Sequence, residues 1–191
     1  FQRSLGHVQT ACLALLNDCP LEIIPGYPDA SDDPLTWSPD GRYGVLPVNS
    51  SNEVRLFDSL ERSWKVLLNN AFVPVNLVRW SPDGAWAALM LRTPDGSEDG
   101  LLSVVSADAT QLRAVAPDLG GMQLPIGWAG PNQVVFLHEL LVRKGDTYTS
   151  DPPLLYLADL QDGSYRQLPF EGNYDWLKSH PALSPDGTRV A

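Results

Sequence analysis

Apolar positions fall in short runs of strand length, each closed off by polar, proline-bearing or glycine-bearing stretches. The clearest runs cover residues 43–48, 53–58 and 64–68, then 85–91, 101–105 and 111–115, and then 133–137, 154–159 and 165–168. Runs of about four to eight residues between turn signals predict β-strands, and no stretch of helical period is long enough to dominate the chain. The N-terminal stretch reads two ways. Residues 11–18 and 20–26 fit a pair of strands, whereas Phe1, Leu5, Val8, Cys12 and Leu16 also fit one face of a helix.

The runs are phased by one recurring motif. It appears as Trp37-Ser38-Pro39-Asp40-Gly41, Trp80-Ser81-Pro82-Asp83-Gly84 and Leu183-Ser184-Pro185-Asp186-Gly187, with a worn copy at Trp128-Ala129-Gly130-Pro131-Asn132. Trp80 follows Trp37 by 43 residues, Trp128 follows Trp80 by 48, and Leu183 follows Trp128 by 55. In such a motif proline presets φ for a turn, aspartate bonds nearby N–H groups, and glycine takes the positive φ that other residues resist. The predicted corner is a type I turn closed by a glycine bulge between antiparallel strands. The third copy has an extra residue and no closing glycine, so a wider corner is expected there. Each corner opens two strands and two more follow, which makes each repeat a four-stranded meander. Such units at a period of about 45 residues signal an all-β fold, a β-propeller of four-stranded antiparallel blades. The tryptophans recur in phase and are read as packing residues between blades.

On these residues the chain resembles the TolB-like, WD40-like propeller repeats of bacteria, whose hallmark is an apolar residue, Ser-Pro-Asp-Gly and a short apolar strand. The resemblance covers roughly residues 34–191 and implies a single propeller segment over residues 1–191. Its expected divisions are an outer half-blade at 9–26, blades at 34–70, 75–117 and 122–170, and the start of the next blade at 180–191. The chain opens at Phe1 and stops inside an incipient strand at Val190, so these three blades and two half-blades are expected to be part of a larger ring, the alternative being that the two halves join into a fourth blade and close a small one. The resemblance also implies a non-enzymatic scaffold for a protein or peptide partner, in a periplasmic or extracellular setting. Two alternatives stay open: a substrate-gating propeller beside a prolyl-oligopeptidase-like hydrolase domain, and a carbohydrate-binding or sensor module.

Charge narrows the choice of partner. Thirteen basic residues against 23 acidic ones give a formal net charge of −10, which argues against nucleic acid and against anionic membrane surfaces. No run approaches the roughly 18 apolar residues of a membrane-spanning helix. Cys12 and Cys19 form neither a Cys-x-x-Cys pair nor a metal site by themselves.

Catalytic motifs are missing from the sequence: it has no nucleophile elbow, no His-Glu-x-x-His and no phosphate loop. His138 lies inside an apolar run and reads as a core or edge residue. Asp95-Gly96-Ser97-Glu98-Asp99-Gly100 alternates oxygen-bearing residues as a calcium loop does, but its twelfth position is Ser106 where such loops place a bidentate glutamate. No catalytic residue, metal site or cofactor is expected. The long connections opposite the tight corners, at 93–100, 117–122, 144–153 and 169–181, carry most of the acidic and aromatic loop residues. Tyr148, Tyr174 and Trp176 together with Glu98, Asp99 and Asp175 are the candidate ligand-binding residues, suited to a basic peptide or protein surface.

Overall fold

The computed structural model describes residues 35–48, 51–69, 78–92, 99–144, 147–150, 152–169, 183–184 and 187–190, together with Ile24 and Gly26. All regular structure among them is β. The first sheet is a meander of β1 (Thr36–Trp37), β2 (Tyr43–Val48), β3 (Glu53–Asp58) and β4 (Ser63–Asn69), paired in that order. A second meander holds β5 (Arg79–Trp80), β6 (Trp86–Arg92), β7 (Gly100–Ser106) and β8 (Leu112–Ala114). The third holds β9 (Met122–Gly130), β10 (Gln133–Glu139), β13 (Leu154–Asp159) and β14 (Tyr165–Leu168). All pairings within a meander are antiparallel, and one parallel pair, Gly100 with Met122, links the second and third. A further antiparallel bridge joins Leu183 to Val190. The all-β, four-stranded blade expected from the repeats is therefore what the chain forms.

The corners form as their residues dictate. Gly41, Gly84 and Gly187 have φ of 71°, 70° and 70°, and the Gly41 N–H donates to the Ser38 carbonyl at 2.9 Å. Side chains lock the turn. Ser38 Oγ donates to Asp40 Oδ1 at 2.5 Å and accepts the Tyr43 N–H at 2.9 Å, and Asp40 Oδ1 also accepts the Arg42 N–H at 3.1 Å. Ser81, Asp83, Ala85 and Trp86 repeat the arrangement in the second meander. Each such bond contributes about 0.5–1.5 kcal/mol net.

The motif also recurs where the sequence does not spell it. Between β7 and β8, Ser106 Oγ donates to Asp108 Oδ1 at 2.6 Å and accepts the Gln111 N–H at 3.0 Å, with Ala109 at a φ of 64° in the glycine position.

Two expectations are corrected. The third corner is tighter than predicted, because Pro131 and Asn132 alone connect β9 to β10 and Gly130 pairs directly with Gln133. The extra residue is absorbed within the strands, where register shifts between Gln133 and Val134 and between Val135 and Phe136 form bulges. Residues 144–153, read as an open loop, are largely a hairpin of β11 (Leu141–Lys144) and β12 (Thr147–Ser150).

The core lies between meanders. Val45, Val54 and Leu56 of the first pack on Val78, Ala87, Leu89 and Val105 of the second. Ala88, Leu102 and Val104 of the second pack on Trp128, Val134 and Phe136 of the third. The opposite face of the third, through Leu124, Ile126, Val135 and Leu137, meets Leu183 and Val190. Strand alternation sends successive side chains to opposite faces, so each sheet is apolar on both sides and is buried only when stacked between neighbours. Of the expected half-blade at 9–26 only Ile24, which packs on Leu35, Leu46 and Val48, and Gly26, which lies against Trp64, are described; the choice between helix and strand for residues 1–16 lies outside the described residues, as do Cys12 and Cys19.

Candidate binding face

The corners and the turns between third and fourth strands share one end of the sheets. The Ser59 N–H donates to the Arg42 carbonyl at 2.8 Å, Ala107 to Ala85 at 2.9 Å, and Leu160 to Asn132 at 2.8 Å. Three turns thus lean on three corners. Asp58 adds a further tie by accepting the Leu60 and Glu61 N–H groups and facing Arg42 at 3.4 Å. Burial raises the Asp58 carboxyl, but those donors and the Arg42 charge outweigh it and leave the carboxyl below its ordinary range.

The other end is built differently. There the end of β6, the start of β7, the start of β9, the end of β10 and the start of β13 converge, and the connections between them are long. Asp99 stands exposed beside Gly100, whose N–H donates to the Gly121 carbonyl at 3.1 Å. The β11–β12 hairpin leaves this end directly after Glu139 and places Tyr148 opposite Arg143. Of the six candidate ligand-binding residues, Asp99 and Tyr148 are thus carried at this end. Glu98, Tyr174, Asp175 and Trp176 lie outside the described residues.

Beneath this end lie three buried polar side chains. Gln123 is fully buried; its Oε1 accepts the Leu102 N–H of β7 at 3.0 Å, and its Nε2 donates to the Ala116 and Gly120 carbonyls at 2.8 and 3.3 Å. It staples β9 to β7 and to the linker at 115–121. Sequence reasoning passed over it, although a lone amide inside the run Met122–Ile126 was a usable signal. His138 pairs with Gln123 across the strands and stands edge-on to Tyr156, with ring centroids 5.8 Å apart. Its Nε2 is buried without a hydrogen-bond partner. Burial lowers its pKa, and hydrogen bonds to the main chain of Gly120 and Leu119 offset this only in part.

Glu139, the next residue, is also buried, with Oε2 lacking a partner. Adjacent strand positions face opposite ways, so His138 and Glu139 point to different inter-sheet spaces and do not form an acid–base pair. Among the described residues no three His, Cys, Asp or Glu side chains converge as metal ligands, and no helix is long and apolar enough to cross a membrane.

This blade geometry has counterparts among solved structures. TolB from Acinetobacter baumannii superposes with a TM-score of 0.55 over 83% of this chain and 37% of its own, at 20% identity. A putative TolB from Agrobacterium tumefaciens gives 0.54 over 81% and 50%, at 21% identity. The chain folds as TolB-like β-propeller blades. The same TolB-like architecture appears in an oligogalacturonate lyase in complex with manganese, with a TM-score of 0.53 over 81% of this chain and 44% of that one, at 17% identity. Likeness at these identities fixes the fold, and the fold carries both TolB proteins and an enzyme. The chain spans between 37% and 50% of the length of these TolB-like structures. No protein-family model matches the sequence, and no curated protein matches it.

Proposed function

We propose that this TolB-like propeller is a non-enzymatic scaffold that binds a basic peptide or protein segment over its long-loop end. The asymmetry of the two ends carries the reading. At the corner end the connections are short, and three turns are tied to three corners by main-chain bonds. The long connections at the opposite end present Asp99 and the exposed Asp118, and the sequence adds Glu98 and Asp175 to the same class of connection. A net charge of −10 favours encounter with a cationic partner.

The buried polar groups under this end support the same reading. Gln123 is consumed by main-chain bonds that tie β9 to β7 and to the linker at 115–121, so the loops stand on a rigid base. The test is a titration with a fluorescent lysine-rich peptide at two salt concentrations. Saturable binding that weakens at high salt is expected, and the triple variant Glu98→Gln, Asp99→Asn, Asp175→Asn should bind about tenfold more weakly at low salt. Equal affinity for parent and variant would remove the acidic-face proposal.

A further inference from the structure

A row of side chains on the third blade starts in the core and runs out into solvent at the long-loop end. Alternation along β10 turns Val134, Phe136 and His138 toward the second blade. Tyr156 of β13 joins them from the neighbouring strand, stacked on Phe136 with centroids 5.5 Å apart and edge-on to His138 at 5.8 Å. Leu154 stands directly opposite His138, and Leu140 follows His138 by two residues. Both continue the row. Gly121 marks that side, since a Cβ placed there would lie 3.1 Å from His138 Nε2 and 3.1 Å from Leu140 Cδ2. Phe136 is fully buried and His138 is 5% exposed, yet Leu154 is 39% and Leu140 46% exposed.

The other large exposed apolar side chains among the described residues lie elsewhere: Leu60 in the turn between β3 and β4, Val66 and Leu112 on the outermost strands β4 and β8. Acidic groups border the leucine pair. The linker at 115–121 passes Leu140 at Gly121 and carries the exposed Asp118 three residues earlier, where the Tyr165 hydroxyl donates to Asp118 Oδ2 at 2.9 Å and holds the carboxylate at the edge of the same interface. The Gly121 carbonyl accepts the Gly100 N–H, which sets the exposed Asp99 beside the linker. An apolar centre within a charged rim has the make-up of a contact site, and the sign of the rim selects a cationic partner.

We propose that Leu140 and Leu154 form the apolar seat of the binding face, and that its ligand is a peptide segment in which an aliphatic or aromatic residue lies between lysines or arginines. The apolar residue packs on the two leucines while its basic neighbours meet Asp99 and Asp118. This rests on the reading of the long-loop end as the binding face and adds selectivity to it: charge alone draws any basic segment, whereas the leucine pair discriminates among them. Covering both leucines with one apolar side chain removes enough surface from water to separate otherwise equal peptides by about tenfold.

Two labelled peptides of equal charge test this, one with leucine between two pairs of lysines and one with serine in its place. Fluorescence anisotropy should show the parent chain binding the leucine peptide about tenfold more tightly, with the same salt dependence for both. The double variant Leu140→Ser, Leu154→Ser should bind the two peptides alike, at the affinity that the parent has for the serine peptide. Both positions are exposed, so its thermal midpoint should stay close to the parent's; if it unfolds, Leu140→Ser alone takes its place and should lose most of the preference. Leu60→Ser, at the corner end, is the control and should keep the preference in full. Equal binding of the two peptides to the parent, a preference that survives the double variant, or one that is lost in Leu60→Ser overturns the proposal, and the acidic-face reading still stands where both affinities fall with salt. If neither peptide binds the parent, that reading falls and the proposal with it.

Discussion

His138 shows how a single side chain links the packing of this fold to solution conditions. It is 5% exposed, and burial lowers its pKa from the ordinary histidine value, so the folded chain holds it neutral where an unfolded chain would take up a proton. Unfolded histidine titrates near pH 6.5. Above that value both states are neutral, and the His138 contribution to stability is fully present. As pH falls below it, the unfolded state binds the proton first, and stability drops until the folded pKa is passed. The lowered carboxylates Asp40, Asp58, Asp108 and Asp162 act in a separate window, contributing stability that is present above about pH 4 and lost on further acidification. Urea titrations between pH 7.5 and 5 should therefore show stability falling toward pH 5, and His138→Gln should flatten that slope while leaving the acid limb below pH 4 in place. A slope unchanged by His138→Gln would refute the buried, neutral imidazole.

At the scale of elements, the strands were largely legible because their chemistry is local. Residues 53–58, 154–159 and 165–168 are strands over the ranges their apolar runs suggested, and the Ser-Pro-Asp-Gly corners hold the glycines at positive φ as expected. What escaped notice depends on partners distant in sequence or on atoms that different residues share. The turn at Ser106–Ala109 uses the same serine and aspartate oxygens as a corner, but alanine stands where proline and glycine would have announced it. Residues 141–150 were hidden because a polar, glycine-centred hairpin has the composition of a loop. Four of the six candidate ligand-binding residues fall outside the described residues, so the acidic, aromatic site rests on sequence together with Asp99 and Tyr148. Gln123 was invisible as a staple because its value lies in Leu102, 21 residues away. Gln123→Leu should cost about 1–3 kcal/mol, since it leaves the buried Leu102 N–H without its acceptor, whereas the Ala116 carbonyl keeps the Leu119 N–H. Gln123→Glu keeps the acceptor for Leu102 but sets a carboxylate against two carbonyl oxygens. Its thermal midpoint should be low at pH 7.5 and recover toward the parent's as the pH is lowered and the carboxyl protonates.

Across the whole molecule the blades form a linear stack in which each contacts its neighbours, so stability is a sum of blade and interface contributions. The three inter-sheet cores are distinct sets of side chains, and the two tryptophan ties, Trp80 Nε1 to the Thr36 carbonyl and Trp128 Nε1 to the Arg79 carbonyl, belong to different interfaces. Trp80→Phe removes the donor to Thr36 and part of the ring that fills the first interface, whereas Trp128→Phe does the same to Arg79 and the second. Losing a buried hydrogen bond and several ring atoms costs about 2–3 kcal/mol at either site. If coupling is nearest-neighbour, these losses stay local. Hydrogen exchange should then rise in β1 and β2 for Trp80→Phe, with β13 and β14 hardly changed. Trp128→Phe should loosen β9 and β10 while β3 and β4 keep their protection, and the double variant should show the two patterns superimposed, as separated sites do. Uniform loss of protection over all three sheets from either substitution would show instead that the stack opens as one cooperative unit. In that case the indole ties would report on global stability and not on the joint each one spans.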